Sequence, residues 1–344
     1  MTQENSLFLH KLFIDDKEIL ASSSGTINFS GNNNLNVMRI TIDNIDLQND
    51  SFLNKKVEFF LEESGHDSIP IFRGFVKEYT PKETKVLLTV VDVRAVLTGN
   101  TGIKINATDE KNYDGKTLAQ FIYEIVTDEI NYDNTVIGLD MLRDAEPVVK
   151  MDNIRGSNLD VYTIITDKIK NSFDLTDFEK PLSSFVDIRE DGEKSNIVIT
   201  KDKAITDTPS YTFSFGDGIE NLTYKRREPT NTIYYQNGRV EKFSNRPKGQ
   251  VVAIMDELED IVETRNLALQ QILLEQQQLD EINISVNKCY DIGLGTLVHL
   301  DVEDDDVRGT HRVQSKTITF GKSMKCSLGL NKKPIKLSDY IQKK

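Results

Sequence analysis

The side chains with the strongest chemical potential lie in the last third of the chain. Asp301-Val302-Glu303-Asp304-Asp305-Asp306 packs carboxylates closely. Oxygen ligands of this kind suit calcium when they recur at fixed spacing around a glycine that makes the sharp turn. Here the acids from Glu303 onward are consecutive, so neighbours point apart. The stretch reads better as a solvated hairpin tip. Gly216-Asp217-Gly218 is not a phosphate loop, because it lacks G-x-G-x-x-G and no helix pattern follows it. The four histidines are His10, His66, His299 and His311. None sits in H-E-x-x-H or beside C-x-x-C, so zinc is not expected. His299 and His311 are placed to approach each other across a terminal hairpin, with half-buried neutral imidazoles as the plainer role. Cys289 and Cys326 are the only cysteines. Both fall in strand-like segments, and a single pair reads as buried free thiols, not as a disulfide framework. No G-x-S-x-G elbow is present. A glycosidase needs two carboxylates at a set separation, and among 55 acids nothing marks out a pair. The absence of Trp weighs against a carbohydrate platform. No catalytic, cofactor-binding or metal-binding residue is assigned, and no cofactor is expected.

The bulk composition narrows the partners. A net charge of −13 leaves no footprint for nucleic acid, which needs clustered Lys and Arg. Lys225-Arg226-Arg227 is the densest basic cluster, and Glu228-Pro229 follows at once. The apolar runs are far shorter than the roughly 18–20 residues of a membrane span. The amino terminus, MTQENSLFLHKLFIDD, lacks the basic start and apolar core of a signal peptide, so cytoplasmic synthesis is expected. At 344 residues the chain has room for two or three domains.

The elements come in three blocks, an α+β fold that is mainly β. Residues 1–99 read as all-β. Asn36–Ile42 alternates cleanly after the turn-rich Gly31-Asn32-Asn33-Asn34. Val57, Phe59 and Leu61 alternate next, then Arg73-Gly74-Phe75-Val76 and a strand from Val86 to Val91 follow. Residues 100–210 change character. Leu118, Phe121, Ile122, Ile125 and Val126 have helical spacing after Asp114-Gly115-Lys116-Thr117. A second helix is expected to open at Ser157-Asn158-Leu159-Asp160, with Asn158 as N-cap and Leu159, Tyr162, Ile165 and Ile169 on one face. Phe185–Arg189 and Asn196–Ile199 form a strand pair around Asp191-Gly192. In 211–344, strands are expected at Tyr211–Phe215, Ile219–Tyr224 and Thr232–Gln236, the last ending in the tight turn Asn237-Gly238. Residues 250–280 read as one long helix packed on a sheet. Val251, Met255, Leu258, Ile261, Val262, Leu267, Ile272, Leu273 and Leu279 trace its apolar face. The segment 295–330 then gives three alternating runs, with Leu297, Val298, Leu300 and Val302 in the first. Val313, Ile318 and Phe320 follow in the second, and Met324, Cys326, Leu328 and Leu330 in the third.

This last segment echoes residues 54–93. Both give a strand, an acidic loop, a second strand, a polar turn and a third strand. Arg73-Gly74-Phe75-Val76 and Val86–Val91 in one answer to Arg308-Gly309, His311-Arg312-Val313 and Lys325-Cys326-Ser327-Leu328 in the other. The pattern predicts a duplicated β unit within one chain.

Four pieces in order carry a resemblance to a known family. They are Ile71–Val76 with Leu87–Asp92, then Ser157–Tyr162, then Phe215–Leu222, and finally Gly295–Val298 with Gly309–Val313. Together they resemble the central hub proteins of phage tails and baseplates, of the late control protein D type found in contractile tails. In Ser157–Tyr162 the Asp follows Asn158 by two positions, where that family often carries Asn-x-x-Asp. The resemblance implies a tube-like β-barrel domain at 1–99 and a peripheral α+β insert at 100–210. A second tube-like barrel at 211–344 would include the long helix 250–280. It implies a non-enzymatic virion protein: a homotrimer adapting a six-fold tail tube to a three-fold spike or tail tip. The implied partners are the tube protein, the spike or tip protein, the tape-measure protein and other baseplate proteins. Genomic DNA would pass only in transit, and no membrane insertion is implied. The chain past Lys332 is short, which points to a spike on a separate protein. A tail-associated cell-wall hydrolase and a carbohydrate-binding tail module are the alternatives from other classes.

Overall fold

The computed structural model describes residues 8–30, 35–43, 51–63, 68–98, 103–107, 113–129, 137–139, 151, 154–171, 184–201, 207–226, 232–235, 239–242, 252–255, 280–304 and 307–330. The first strands are β1 (Phe8–Ile14), β2 (Lys17–Glu18), β3 (Ser23–Ser30), β4 (Val37–Ile42), β5 (Lys56–Glu63), β6 (Ile69–Lys82) and β7 (Lys85–Asp92). The middle holds α1 (Ala95–Thr98), β8 (Lys104–Ala107), α2 (Leu118–Glu124), β9 (Ile137–Gly138), β10 (Gly156–Asp160), α3 (Val161–Asn171), β11 (Ser184–Asp191) and β12 (Lys194–Lys201). The last strands are β13 (Tyr211–Phe215), β14 (Gly218–Arg226), β15 (Thr232–Tyr235), β16 (Val240–Lys242), β17 (Val252–Met255), β18 (Asp280–Val286), β19 (Leu297–Leu300), β20 (Gly309–Phe320) and β21 (Lys325–Leu330). The fold is mainly β. Among the described residues, no helix is long and apolar enough to cross a membrane.

One large sheet runs β19-β13-β14-β18-β21-β20-β3-β4-β7-β6-β5-β1-β2, and β19 also pairs with β20. That extra pairing closes β13, β14, β18, β21, β20 and β19 into a barrel. In the other half, β1 curls back towards β3, and His10 Nε2 lies 2.7 Å from Ser23 Oγ.

The two halves share one strand order. In the amino-terminal half it is β3-β4-β7-β6-β5, and in the carboxy-terminal half it is β14-β18-β21-β20-β19. Each has five strands in chain order whose third, fourth and fifth members form a meander folded back on the second. The middle strand of each meander is long and has a bulge against the last strand. The bulge follows Val76 in β6 and Val313 in β20. Aligning the bulges matches the cores position by position. Val90 pairs with Val76 and Met38, as Leu330 pairs with Val313 and Ile282. Met38, Ile40 and Ile42 then match Ile282, Ile284 and Val286, and all six are buried. The echo seen in the sequence is therefore real as topology. The bulge register corrects its detail, since Gly74 lies level with His311 and not with Gly309.

Period-two alternation explains why these segments became strands. Each buries one face against a common core that includes Leu12, Ile27, Phe59, Leu88, Leu300, Ile318 and Leu328. The middle segment has a core of its own, built on Leu118, Phe121, Ile122, Ile125, Val126, Val161 and Ile165. The α2 sequence works as expected. Thr117 caps it, with Oγ1 accepting from Gln120 N and Gln120 Oε1 accepting from Thr117 N.

Three expectations need correction. Gly156–Asp160 is a strand paired with β8, so the second helix begins at Val161. Its cap is Asp160, whose Oδ1 accepts from Thr163 N at 2.8 Å, and not Asn158. Val252–Met255 is a strand parallel to β15, not the start of a helix. Partner pairing prevailed there over helical spacing. Cys289 lies in the loop after β18 and not in a strand, although both cysteines are buried free thiols. Residues 250–251 and 256–279 of the expected helix, the turns 31–34 and 237–238, Asp305, Asp306 and His66 lie outside the described residues.

Candidate functional site

The candidate chemistry disperses once the register is known. Val298 faces His311 across the terminal hairpin and His299 faces Thr310. Opposed residues share a face and successive residues alternate. His299 and His311 therefore project to opposite faces, which corrects the expectation that they approach. His311 Nε2 is 2.7 Å from the Val307 carbonyl. The acids of 301–304 also have separate tasks. Asp301 Oδ1 meets Arg308 Nη2 at 3.3 Å, and Asp304 Oδ2 accepts from Tyr224 Oη at 2.7 Å. Among the described residues, no three His, Cys, Asp or Glu side chains converge as a metal set. Gly216-Asp217-Gly218 is a tight turn between β13 and β14, with Ser214 and Asp217 exchanging backbone hydrogen bonds. A strand follows it, not a helix. A Cβ on Gly218 would lie 2.8 Å from the Phe213 ring, and its φ of +98° also favours glycine.

The side chains that do converge are charged residues buried where the two β halves meet the middle segment. Arg73 sits mid-strand among apolar residues, and the β5–β6 register sets it opposite Glu58. Its Nε donates to Glu58 Oε1 at 2.8 Å. Its Nη1 donates to Glu190 Oε2 at 2.8 Å and to the Lys194 carbonyl at 3.1 Å, while Nη2 donates to the Gly192 carbonyl. Arg73 thus grips the tip of the β11–β12 hairpin from below. Within that hairpin, register places Ser195 opposite Glu190, and Ser195 Oγ donates to Glu190 Oε2 at 2.7 Å. Burial pushes the Glu190 carboxyl up to about 7 against the downward pull of Ser195 and Arg73.

A second grip lies alongside. Asp92 ends β7 and accepts from Asn36 N at 2.6 Å and from Arg94 N at 2.9 Å. Arg94 Nη2 donates to Asp92 Oδ2 at 2.6 Å, and Nη1 reaches the Val186 carbonyl of β11. Asp187 is buried next to this pair. Burial raises its pKa, and the Arg94 charge counters that rise. From the carboxy-terminal half comes Lys316, on the same face of β20 as Ile318. Its Nζ lies 4.5 Å from the Phe29 ring centre and donates to the carbonyls of Tyr290 (3.1 Å) and Ile292 (2.9 Å). Burial lowers its pKa.

A cavity of about 480 Å³ lies beside these groups, lined in part by Phe72, Asp92, Asp187, Glu190, Tyr290 and Lys316. Sequence reasoning did not find them. The one signal was a charge at a core-facing strand position, Arg73 after Ile71-Phe72 and Lys316 two residues before Ile318. The arrangement joins three parts of the chain by buried, hydrogen-bonded charge. Both oxygens of Glu190 are occupied, one by Arg73 Nη1 and Ser195 and the other by Arg73 N at 3.2 Å. That leaves it poorly placed to exchange protons with a substrate.

The fold described above, with two like β units joined through one sheet, resembles that of solved tail proteins. No family model matches the chain, and no curated protein matches it. Solved structures match over nearly its whole length. A tail protein from Neisseria meningitidis superposes with a TM-score of 0.60 at 12% identity, over 96% of this chain and 98% of that one. A prophage tail protein from Shewanella oneidensis gives 0.61 at 12% identity, over 94% and 97%. An Escherichia coli component of the type VI secretion system, itself described as structurally similar to T4 tail proteins, gives 0.54 at 9% identity, over 94% and 77%. At these identities the likeness is one of fold.

Proposed function

We propose that this chain is a structural subunit of a phage tail or a related injection apparatus, placed at the hub where tube meets tip. The observation that carries this reading is the doubled strand order, β3-β4-β7-β6-β5 and β14-β18-β21-β20-β19. A chain with two like barrels, assembled as a homotrimer, presents six barrels to a six-fold tube and a three-fold face to a spike or tip. The tail-protein folds at TM-scores of 0.60 and 0.61 support it. Under this reading 1–99 and 211–344 are the two tube-like domains, and 100–210 hangs outside the ring to meet baseplate neighbours. The net charge of −13 suits a channel wall past which DNA and a tape-measure protein slide without sticking.

A cell-wall hydrolase is the competing reading. The specific observation in its favour is the raised carboxyl of Glu190 beside a cavity. The occupied oxygens of that carboxyl weigh against it. Electron-microscope class averages of the purified protein, with its mass in solution, test the hub reading. Three-fold rings with six lobes around a pore are expected. A protein that stays monomeric when mixed with its tube and tip proteins, or peptidoglycan cleavage abolished by Glu190→Gln, would overturn it.

A further inference from the structure

The two cysteines meet inside the carboxy-terminal β unit. Cys326 lies on the core face of β21, opposite Val286 of β18 and Ile318 of β20. The chain leaves β18 at Val286, turns over this position and brings Cys289 onto it. The Cys289 thiol donates a hydrogen bond to Cys326 Sγ, and the Cys289 backbone N–H donates to the same sulfur. Both residues are free thiols in this structure and fully buried. The loop that carries Cys289 is held close by. Ile292 N donates to the Cys289 carbonyl at 3.1 Å. Lys316, reaching in from β20, donates to the carbonyls of Tyr290 and Ile292.

Nothing in the hub reading uses this pair. A buried cysteine ordinarily serves as a small apolar side chain, and one thiol alone would have only that role. Here two thiols touch, and a buried ammonium acts on both. We propose that Cys289 and Cys326 form an oxidation site, in which a peroxide-class oxidant converts the two thiols into a disulfide that staples the loop after β18 to β21. The site does not rest on the hub reading. Sulfurs in hydrogen-bond contact need only small side-chain rotations to reach the S–S distance of about 2.05 Å.

The asymmetry of the pair assigns the two roles. The hydrogen bonds from Cys289 hold the Cys326 thiol below the usual thiol range, with burial opposing and the Lys316 charge assisting. The bond it donates, together with burial, pushes the Cys289 thiol up. Cys326 is therefore the attacking thiolate. Its sulfur takes one peroxide oxygen, the O–O bond breaks, and hydroxide leaves and picks up the proton that Cys326 gave up. Cys326 is then a sulfenic acid. The Cys289 sulfur attacks the Cys326 sulfur, the S–O bond breaks, and the Cys289 proton leaves with the hydroxyl as a second water. Two thiols lose two electrons, and one peroxide is reduced to two waters. Burial selects the oxidant by size. The same loop, through Tyr290, Asp291, Gly293 and Leu294, lines the cavity of about 480 Å³, so a water-sized oxidant needs only a local opening to arrive. A bulky disulfide reagent needs global unfolding. A reducing compartment keeps the pair as thiols, and an oxidising one closes it.

The test treats the purified, folded chain with hydrogen peroxide, blocks the remaining thiols with iodoacetamide in urea, and digests with trypsin. The 289–308 and 326–332 peptides should appear as one linked species that reductant separates. An aromatic disulfide reagent should leave both thiols free over the same interval. The oxidised chain should melt higher by on the order of 5 °C, since the link closes a loop of about 38 residues. In Cys289→Ala the sulfenic acid has no partner, and dimedone should trap it at Cys326. In Cys326→Ala, trapping at Cys289 should be about tenfold slower or more. Sulfinic acid at either native cysteine without a link, or thiols that survive peroxide until urea is added, would overturn the site. Equal trapping in the two variants would overturn the assigned roles. A melting temperature that does not rise would overturn the staple. The digest of the native sequence decides the main point even if a variant fails to fold.

Discussion

Glu190→Gln should remove one large pH-dependent contribution to stability. Glu190 is the carboxylate at the hairpin tip that Arg73 holds, and burial raises it from 4.5 to about 7. A carboxyl whose folded pKa is raised binds its proton more tightly in the native state. Its stabilising contribution is fully present below the unfolded value of 4.5 and is lost as pH rises through about 7. The whole displacement is worth on the order of 3 kcal/mol, with a slope of up to about 1.4 kcal/mol per pH unit inside that window. Glutamine mimics the protonated acid in shape and keeps an acceptor for Arg73 Nη1 and Ser195. The assay is urea unfolding at several pH values, followed by circular dichroism because the chain has no Trp. Near pH 5 the variant and the parent should differ little. Near pH 8 the variant should be the more stable by about 2–3 kcal/mol. Parallel stability curves across the range would refute the reasoning. They would mean that the Arg73 charge fully offsets the cost of burying Glu190.

Arg73→Met removes the cation between Glu58 and Glu190 and should cost about 3–5 kcal/mol at neutral pH. Adding Glu190→Gln should recover part of that loss, and a double-mutant cycle in urea measures the coupling. Gly25→Val places side-chain atoms where the Arg39 carbonyl and the Phe320 ring already lie. A cost of about 1–3 kcal/mol is expected, with amide exchange rising in β3 and β20. If exchange rises elsewhere and not there, the β3–β20 pairing is not the weak point. Asp160→Ala removes the acceptor for Thr163 N and should cost about 1 kcal/mol. Asn158→Gly, by contrast, loses no cap and suits the φ of +58° at that position, and thermal melts of the two variants decide which residue caps α3.

Much of the fold was legible because strands advertise their faces. Val298, Leu300 and Val302 are all buried, as their alternation implies. The doubled meander could be read from strand order alone. What failed did so for identifiable reasons. Asp280–Val286 alternates Ile282, Ile284 and Val286, but it follows an apolar run at helical spacing that drew the reading towards one long helix. Asn158, Leu159 and Asp160 fit a helix start equally well until β8 claims them as a strand. The buried joint was the least legible part. Arg73, Asp92, Glu190 and Lys316 are scattered along the chain, and only the fold brings their charges together. A lone charge in an apolar strand says that a partner exists without saying where it is.

The seam between β3 and β20 also sets a timetable. Asn28 and Thr317, which touch across it, are 289 positions apart along the chain. During synthesis at roughly 5–20 residues per second, the amino-terminal strands emerge roughly 15–60 seconds before the strand that will cover them. For that interval the nascent chain carries an open β3 edge, and its Ile27 lacks the Ile318 that covers it in the finished fold. On a crowded ribosome a neighbouring copy of the same chain offers a competing strand. Slow translation or high expression would then favour swapped and tangled products, and a chaperone that shields the nascent edge would raise the yield of correctly joined chains.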